Sequence, residues 1–136
     1  MIFDQKGGLS SSAISALITA DSDFKTSESD VAIGTSITTA VTITLPNNSG
    51  KSLIIIVSNV TAPNFGGGTT FLKLFDNGVD SKDFNFFSSL ANESHTHVMF
   101  YIANNNGQNI ALQVNNNGAG GSPTSHFEML AIQKNS

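Results

Sequence analysis

Two histidines one residue apart, His95 and His97, come nearest in type and spacing to a chemical site. In an extended strand residues i and i+2 share a face. In a trimer with that face near the axis, six imidazoles would converge on one octahedral transition metal. No supporting carboxylate is evident to complete or orient such a set. The plainer reading is that both lie at a sheet end, exposed or hydrogen-bonded, and no metal is expected. His126 has no recognisable partner and is read as structural. Asp21, Asp23, Glu28 and Asp30 invite a calcium reading, but Lys25 and Ser27 stand where further ligands of an EF-hand-type loop belong, so residues 21–30 are expected to form a solvated loop. The three glycines at 66–68 precede a strand, without a Gly-Lys-Ser/Thr or a helix N-terminus to hold an anion. There is no cysteine and no G-x-S-x-G. Acidic residues fall in apparent turns rather than at facing strand positions, so the chain is expected to be no enzyme and to use no cofactor.

Composition narrows the partners. The chain has 136 residues, a net charge of -4, and six lysines without an arginine. A phosphate-binding surface would call for Arg and a basic patch, so nucleic acid is excluded as a partner. No segment approaches the ~20 apolar residues of a membrane span, so no membrane contact is expected. Residues 10–20 are mildly apolar, broken by serines and preceded by MIFDQKGG, which does not read as a secretory signal. Only 12% of residues are charged, against 15 asparagines and 12 glycines, a composition poor in helix formers and rich in turn and strand residues. An all-β domain with a core that needs neither metals nor disulfides follows.

The strands that would position any site are read from period-2 alternation. Residues 1–13 hold Gly7-Gly8 and a serine run and read as a flexible N-terminal arm, leaving 14–136 as the domain. Ile14, Ala16 and Ile18 suggest a short first strand. Residues 35–45 alternate Ile37, Thr39, Val41, Ile43 and Leu45 against Ser36, Thr38, Ala40, Thr42 and Thr44, and Pro46 ends them. Asn47-Asn48-Ser49-Gly50 reads as a turn, and SLIIIV at 52–57 as a strand buried on both faces. Residues 70–75 form a strand that turns at Asp76-Asn77-Gly78 and returns through 79–87. Residues 94–115 read as two strands joined by an Asn-Gly turn. In the first, Val98, Phe100 and Ile102 oppose His95, His97, Met99 and Tyr101. In the second, Ile110, Leu112 and Val114 point inward. Residues 126–133 close the domain, with Phe127, Met129 and Ala131 opposing Leu130 and Ile132. About eight strands and no helical period favour a two-sheet antiparallel sandwich of jelly-roll type.

Strands apolar on both faces need a second cover, and in a short chain that cover is another copy of itself. The expected contact face carries Met99 and Tyr101, with the Val98 side packed inside.

The layout is similar to the C1q/TNF-like jelly rolls of bacteriophage virion proteins. The residues that carry the resemblance are Ile43-Thr44-Leu45-Pro46, the run 53–57, Leu72-Lys73-Leu74 with Asp76-Asn77-Gly78, the run 94–100, Ile110-Ala111-Leu112-Gln113-Val114, and the run 126–132. The likeness covers about 37–133 and is one of strand pattern rather than of a chemical motif. It implies a homotrimer in which inner-sheet strands pack their second face around the threefold axis, and it carries over no catalytic residue. Ile54, Ile56, Met99, Tyr101, Leu130 and Ile132 are the expected trimer contacts. Such domains serve as capsid decoration (cement) proteins or as fibre tips. A chain starting at Met1 with a short arm fits a decoration protein on the virion surface, bound to the major capsid protein through Ile2 and Phe3. The alternative is the receptor- or glycan-binding head of a tail fibre, with loops around Asn64, Asn104 to Asn106 and 115–121 as its surface.

Overall fold

The computed structural model describes residues 22–61, 68–88, 92–117 and 123–134. These form nine strands: β1 (Ser22–Ala32), β2 (Thr38–Thr44), β3 (Asn47–Thr61), β4 (Gly68–Asp76), β5 (Val79–Asp83), β6 (Phe86–Ser88), β7 (Ser94–Asn106), β8 (Asn109–Asn116) and β9 (Thr124–Lys134). One sheet runs β1-β9-β3-β7. The other runs β2-β8-β4-β5, with β6 pairing the start of β4. All pairings are antiparallel, so the all-β jelly-roll sandwich expected from the sequence is the observed architecture. The expected strand at Ile14 to Ile18 lies outside the described residues.

The interior is the inward row of both sheets. Ile54, Ile56, Val60, Met99, Ala103, Phe127, Met129 and Ala131 from the first sheet meet Val41, Ile43, Leu72, Leu74, Ile110, Leu112 and Val114 from the second. Burying a large aliphatic or aromatic side chain is worth about 1.5–3 kcal/mol. These rows are therefore what drives the two sheets together.

Four local expectations give way. Of the expected loop at 21–30, the described residues 22–30 form a strand instead, because β1 pairs with β9 from Ser22↔Lys134 to Ala32↔Thr124. This edge strand is held by backbone ladder bonds rather than by an apolar stripe, and Ser29 donates its hydroxyl to the Ala40 carbonyl of β2. Residues 47–50 are not a separate turn but the irregular start of β3, whose register with β7 shifts between Asn47 and Lys51. In β2 the register shifts between Thr39 and Val41, so Ala40 and Val41 are both buried while Ile37 is 65% exposed. One extra residue at a bulge resets which side of a strand faces inward. Finally, β7 and β8 do not pair as a hairpin. β7 pairs β3, β8 pairs β2 and β4, and the Asn-Gly turn carries the chain from one sheet to the other. Gly107 sits there at a φ of 72°, and its N–H donates to the Pro46 carbonyl at 2.9 Å.

The turn at Asp76–Val79 forms as expected. Asn77 and Gly78 take φ of 53° and 80°, the pair of positive values that a two-residue hairpin loop of type I′ requires.

Beside the sheet crossing lies a buried amide cluster. Ser52 Oγ donates to Asn105 Oδ1 at 2.6 Å, and Asn105 Nδ2 donates to Asn48 Oδ1 at 3.0 Å and Gln133 Oε1 at 3.2 Å. Asn105 is 1% exposed. Asn105→Ala removes the acceptor of the buried Ser52 hydroxyl and is expected to lower unfolding stability by about 2 kcal/mol, read from the urea midpoint.

Candidate functional site

Directly opposed residues on antiparallel strands project to the same side. Register therefore assembles the outer face of the β1-β9-β3-β7 sheet. Ile132, Leu53 and Ile102 lie in one row, Leu130, Ile55 and Phe100 in the next, and Val57 stands opposite Val98 in a third. These eight apolar side chains form a continuous patch over three strands, and no described element covers it. Ile102 is 65% exposed, Phe100 59%, Val98 54% and Leu53 38%. Those four alone leave on the order of 400 Å² open, and the largest patch on a typical monomer, about 300–600 Å², is often functional.

The six residues expected at a subunit contact divide between two faces. Ile54 and Ile56 are fully buried and Met99 is 5% exposed, all three in the chain's own core. They are corrected from contact residues to core residues. Tyr101 opposes Ile54, packs half-buried against that core, and donates its hydroxyl to Asp76 Oδ2 at 3.0 Å, tying β7 to the far end of β4. Burial pushes its phenol up from the ordinary tyrosine pKa. Leu130 and Ile132 oppose Ile55 and Leu53 and lie on the outer patch. Leu130 belongs with Ile55 rather than with Ile56, one residue along, and Leu53, Ile55, Val57, Val98, Phe100 and Ile102 face outward where the expected contact set did not include them. Their signal is present in the sequence as a second apolar row, but alternation alone does not say which row is inside.

His95 and His97 share the inward face with Met99, opposite Val60 and Ser58. Their rings stack at 6.1 Å and 28°, and His95 Nε2 lies 3.2 Å from Glu93 Oε2. Burial and the neighbouring His95 push His97 below the ordinary histidine pKa. Because both rings sit on the core side of β7, they are turned away from the patch. An axial metal held by them is incompatible with an axis at that patch. Ile2 and Phe3 lie outside the described residues.

One end of the patch is charged. Glu28 opposes Glu128, Asp30 opposes His126, and a depression of about 440 Å³ lies there between Glu28, Glu128, Val57 and Leu130. His126 Nδ1 is 2.7 Å from Asp30 Oδ1 and its Nε2 is 3.0 Å from Glu128 Oε1. His126 thus has two partners, where the sequence offered none. Ligand atoms of Glu28, His126 and Glu128 come within 4.8 Å of one another. A protonated imidazole bridging the carboxylates accounts for this geometry without an ion. Hydrogen bonds to Asp30 and then Glu128 raise the His126 pKa above the ordinary value.

A raised pKa in the folded state means that the stabilisation is fully present below the unfolded value of about 6.5 and is lost as pH rises through the folded value. The midpoint difference between the protein and His126→Gln is therefore expected to be larger at about pH 5.5 than at about pH 8.5. An equal difference at both would show that the ion pairs contribute nothing.

No family model matches the chain, and no curated protein matches it. Solved structures do. Dimeric latent PorU from Porphyromonas gingivalis aligns over 85% of this chain with a TM-score of 0.58 and 17% identity. The infectious bursal disease virus VP2 subviral particle aligns over 82% with a TM-score of 0.51 and 10% identity, and the Gx strain of that virus over 82% with 0.50 and 11%. The aligned region spans 13% of the PorU chain and 32% of each viral chain. At these identities the likeness is one of fold. The chain is an antiparallel β-sandwich of the jelly-roll kind, an architecture whose structural neighbours include structures of infectious bursal disease virus.

Proposed function

We propose that this chain is a virion structural protein, a homotrimeric capsid decoration (cement) protein that binds and stabilises a phage shell. The observation that carries this reading is the apolar outer face of the β1-β9-β3-β7 sheet, with Phe100 and Ile102 more than half exposed. Such a face is stable in water when a second copy covers it, and a closed ring is the usual outcome of a repeated heterologous contact. The threefold stoichiometry comes from the resemblance to C1q/TNF-like virion domains, in which inner-sheet strands pack their second face around the axis. The infectious bursal disease virus neighbours support the setting at the level of fold only. The proposed contacts are Leu53, Ile55, Val57, Val98, Phe100, Ile102, Leu130 and Ile132. The major capsid protein is the second partner, reached by the N-terminal arm.

Copy number in purified particles of the phage carrying the gene tests this directly. Hundreds of copies are expected, whereas a few tens or fewer would assign the chain to fibre tips. The arm makes a further prediction. Ile2 and Phe3 precede a Gly-Ser tether, the layout of a hook on a flexible line. Deleting residues 1–11 is expected to leave trimer mass and melting nearly unchanged while sharply weakening attachment to particles. Equal attachment by the truncated protein would remove the arm from the account.

A further inference from the structure

The outer face of the opposite sheet has a different chemistry. Along β4, Phe71, Lys73 and Phe75 project outward beside Asn115, Gln113 and Ala111 of β8, their register partners. Together with Ile37 and Asp80 they line a shallow groove of about 370 Å³. We propose that this groove is a binding site for a neutral oligosaccharide.

Three features of the groove select that ligand. Phe71 and Phe75 are half-buried rings on the same strand face, four residues or about 13 Å apart along β4. That separation suits a short chain of sugar units rather than a single ring. The electron-rich face of an aromatic ring attracts the slightly positive C–H face of a pyranose. Between and beside the rings stand the carboxamides of Gln113 and Asn115, each offering both donors and an acceptor. A sugar hydroxyl, itself donor and acceptor, is the natural complement of an amide. The groove's charge excludes acidic ligands. Lys73 Nζ is 3.0 Å from Asp80 Oδ2 and 3.5 Å from Asp83 Oδ1, so the single cation is already paired and set between two aspartates. A phosphate, sulfate or uronate would meet net negative charge there. A purely apolar partner would strand the amides and the ion pair without hydrogen bonds. The site also faces away from the apolar patch, on the other side of the sandwich, and remains open when that patch is covered.

The inference goes beyond the decoration reading and needs no capsid, so the two fail separately. Its test is a titration of the full-length, 15N-labelled protein with cellotetraose, maltotetraose and chitotetraose, each to about 10 mM, which saturates a site of roughly millimolar affinity. At least one of the three is expected to shift the amide signals of residues 71–75 and 113–115. Phe71→Ala is expected to weaken that binding at least about tenfold, while Phe71→Tyr, which keeps the ring, retains it. An unchanged assembly mass and melting temperature show that a loss in Phe71→Ala is local. If that variant unfolds, Gln113→Ala serves in its place, with the same expected loss. No response to any of the three sugars overturns the proposal. So does a response confined to other residues, or one that both alanine variants leave intact.

Discussion

Phe100→Asp is expected to convert the proposed trimer into folded monomers. Phe100 is 59% exposed in the single chain and sits in the middle row of the outer patch, between Val98 and Ile102 on its own strand and opposite Ile55. In the isolated protomer an aspartate there remains in water, so the urea midpoint measured on monomers should move little. In the assembly each subunit would carry an unpaired carboxylate into an apolar contact, at a cost of several kcal/mol. At about 1.4 kcal/mol per factor of ten, the subunit affinity falls by at least about a hundredfold. Size-exclusion chromatography with light scattering checks it, and Val98→Asp should behave alike. A trimer that survives Phe100→Asp would place the contact elsewhere.

Met99→Asp, one residue along, is expected to do the opposite and unfold the protomer. Met99 is 5% exposed, opposes Ile56 across the β3–β7 ladder, and belongs to the core between the sheets. An unpaired charge there costs at least about 4 kcal/mol. Against the 5–15 kcal/mol that holds a typical domain together, that removes much of the stability. Near-ultraviolet dichroism and the urea midpoint read the effect, which should appear at any protein concentration. Equal behaviour of Met99→Asp and Phe100→Asp would mean that the two faces of β7 are not distinguished as core and contact.

What was legible in the sequence was local. The runs at β3, β7 and β9 show two apolar rows each, and the Asp76–Val79 turn announces itself through Asn77 and Gly78, the residues that tolerate positive φ. What was not legible depended on partners distant in sequence. β1 has a polar sequence because it is an edge strand whose order comes from the ladder with β9, and a ladder leaves no signature in side-chain pattern. The β7–β8 turn looks like a hairpin turn, yet it crosses between sheets because β3 supplies the ladder for β7 while β2 and β4 supply it for β8. The inversion of Met99 and Phe100 has the same origin. Period-2 alternation separates two rows but leaves open which one meets the second sheet. That is decided by packing, which sets Phe127 and Met129 beside the Ile56 row and leaves Leu130 and Ile132 with the Ile55 row. Glu28 and Asp30 of β1 are exposed, as their charge leads one to expect. The sequence did not disclose that His126, almost a hundred residues later, lies between Asp30 and Glu128.

Sedimentation equilibrium of the full chain at micromolar concentration decides whether other copies cover the outer patch, on which everything proposed for that face depends. A single species of about three times the 14.3 kDa chain mass is expected. A stable monomer at that concentration, with Phe100 and Ile102 left in water, would contradict it.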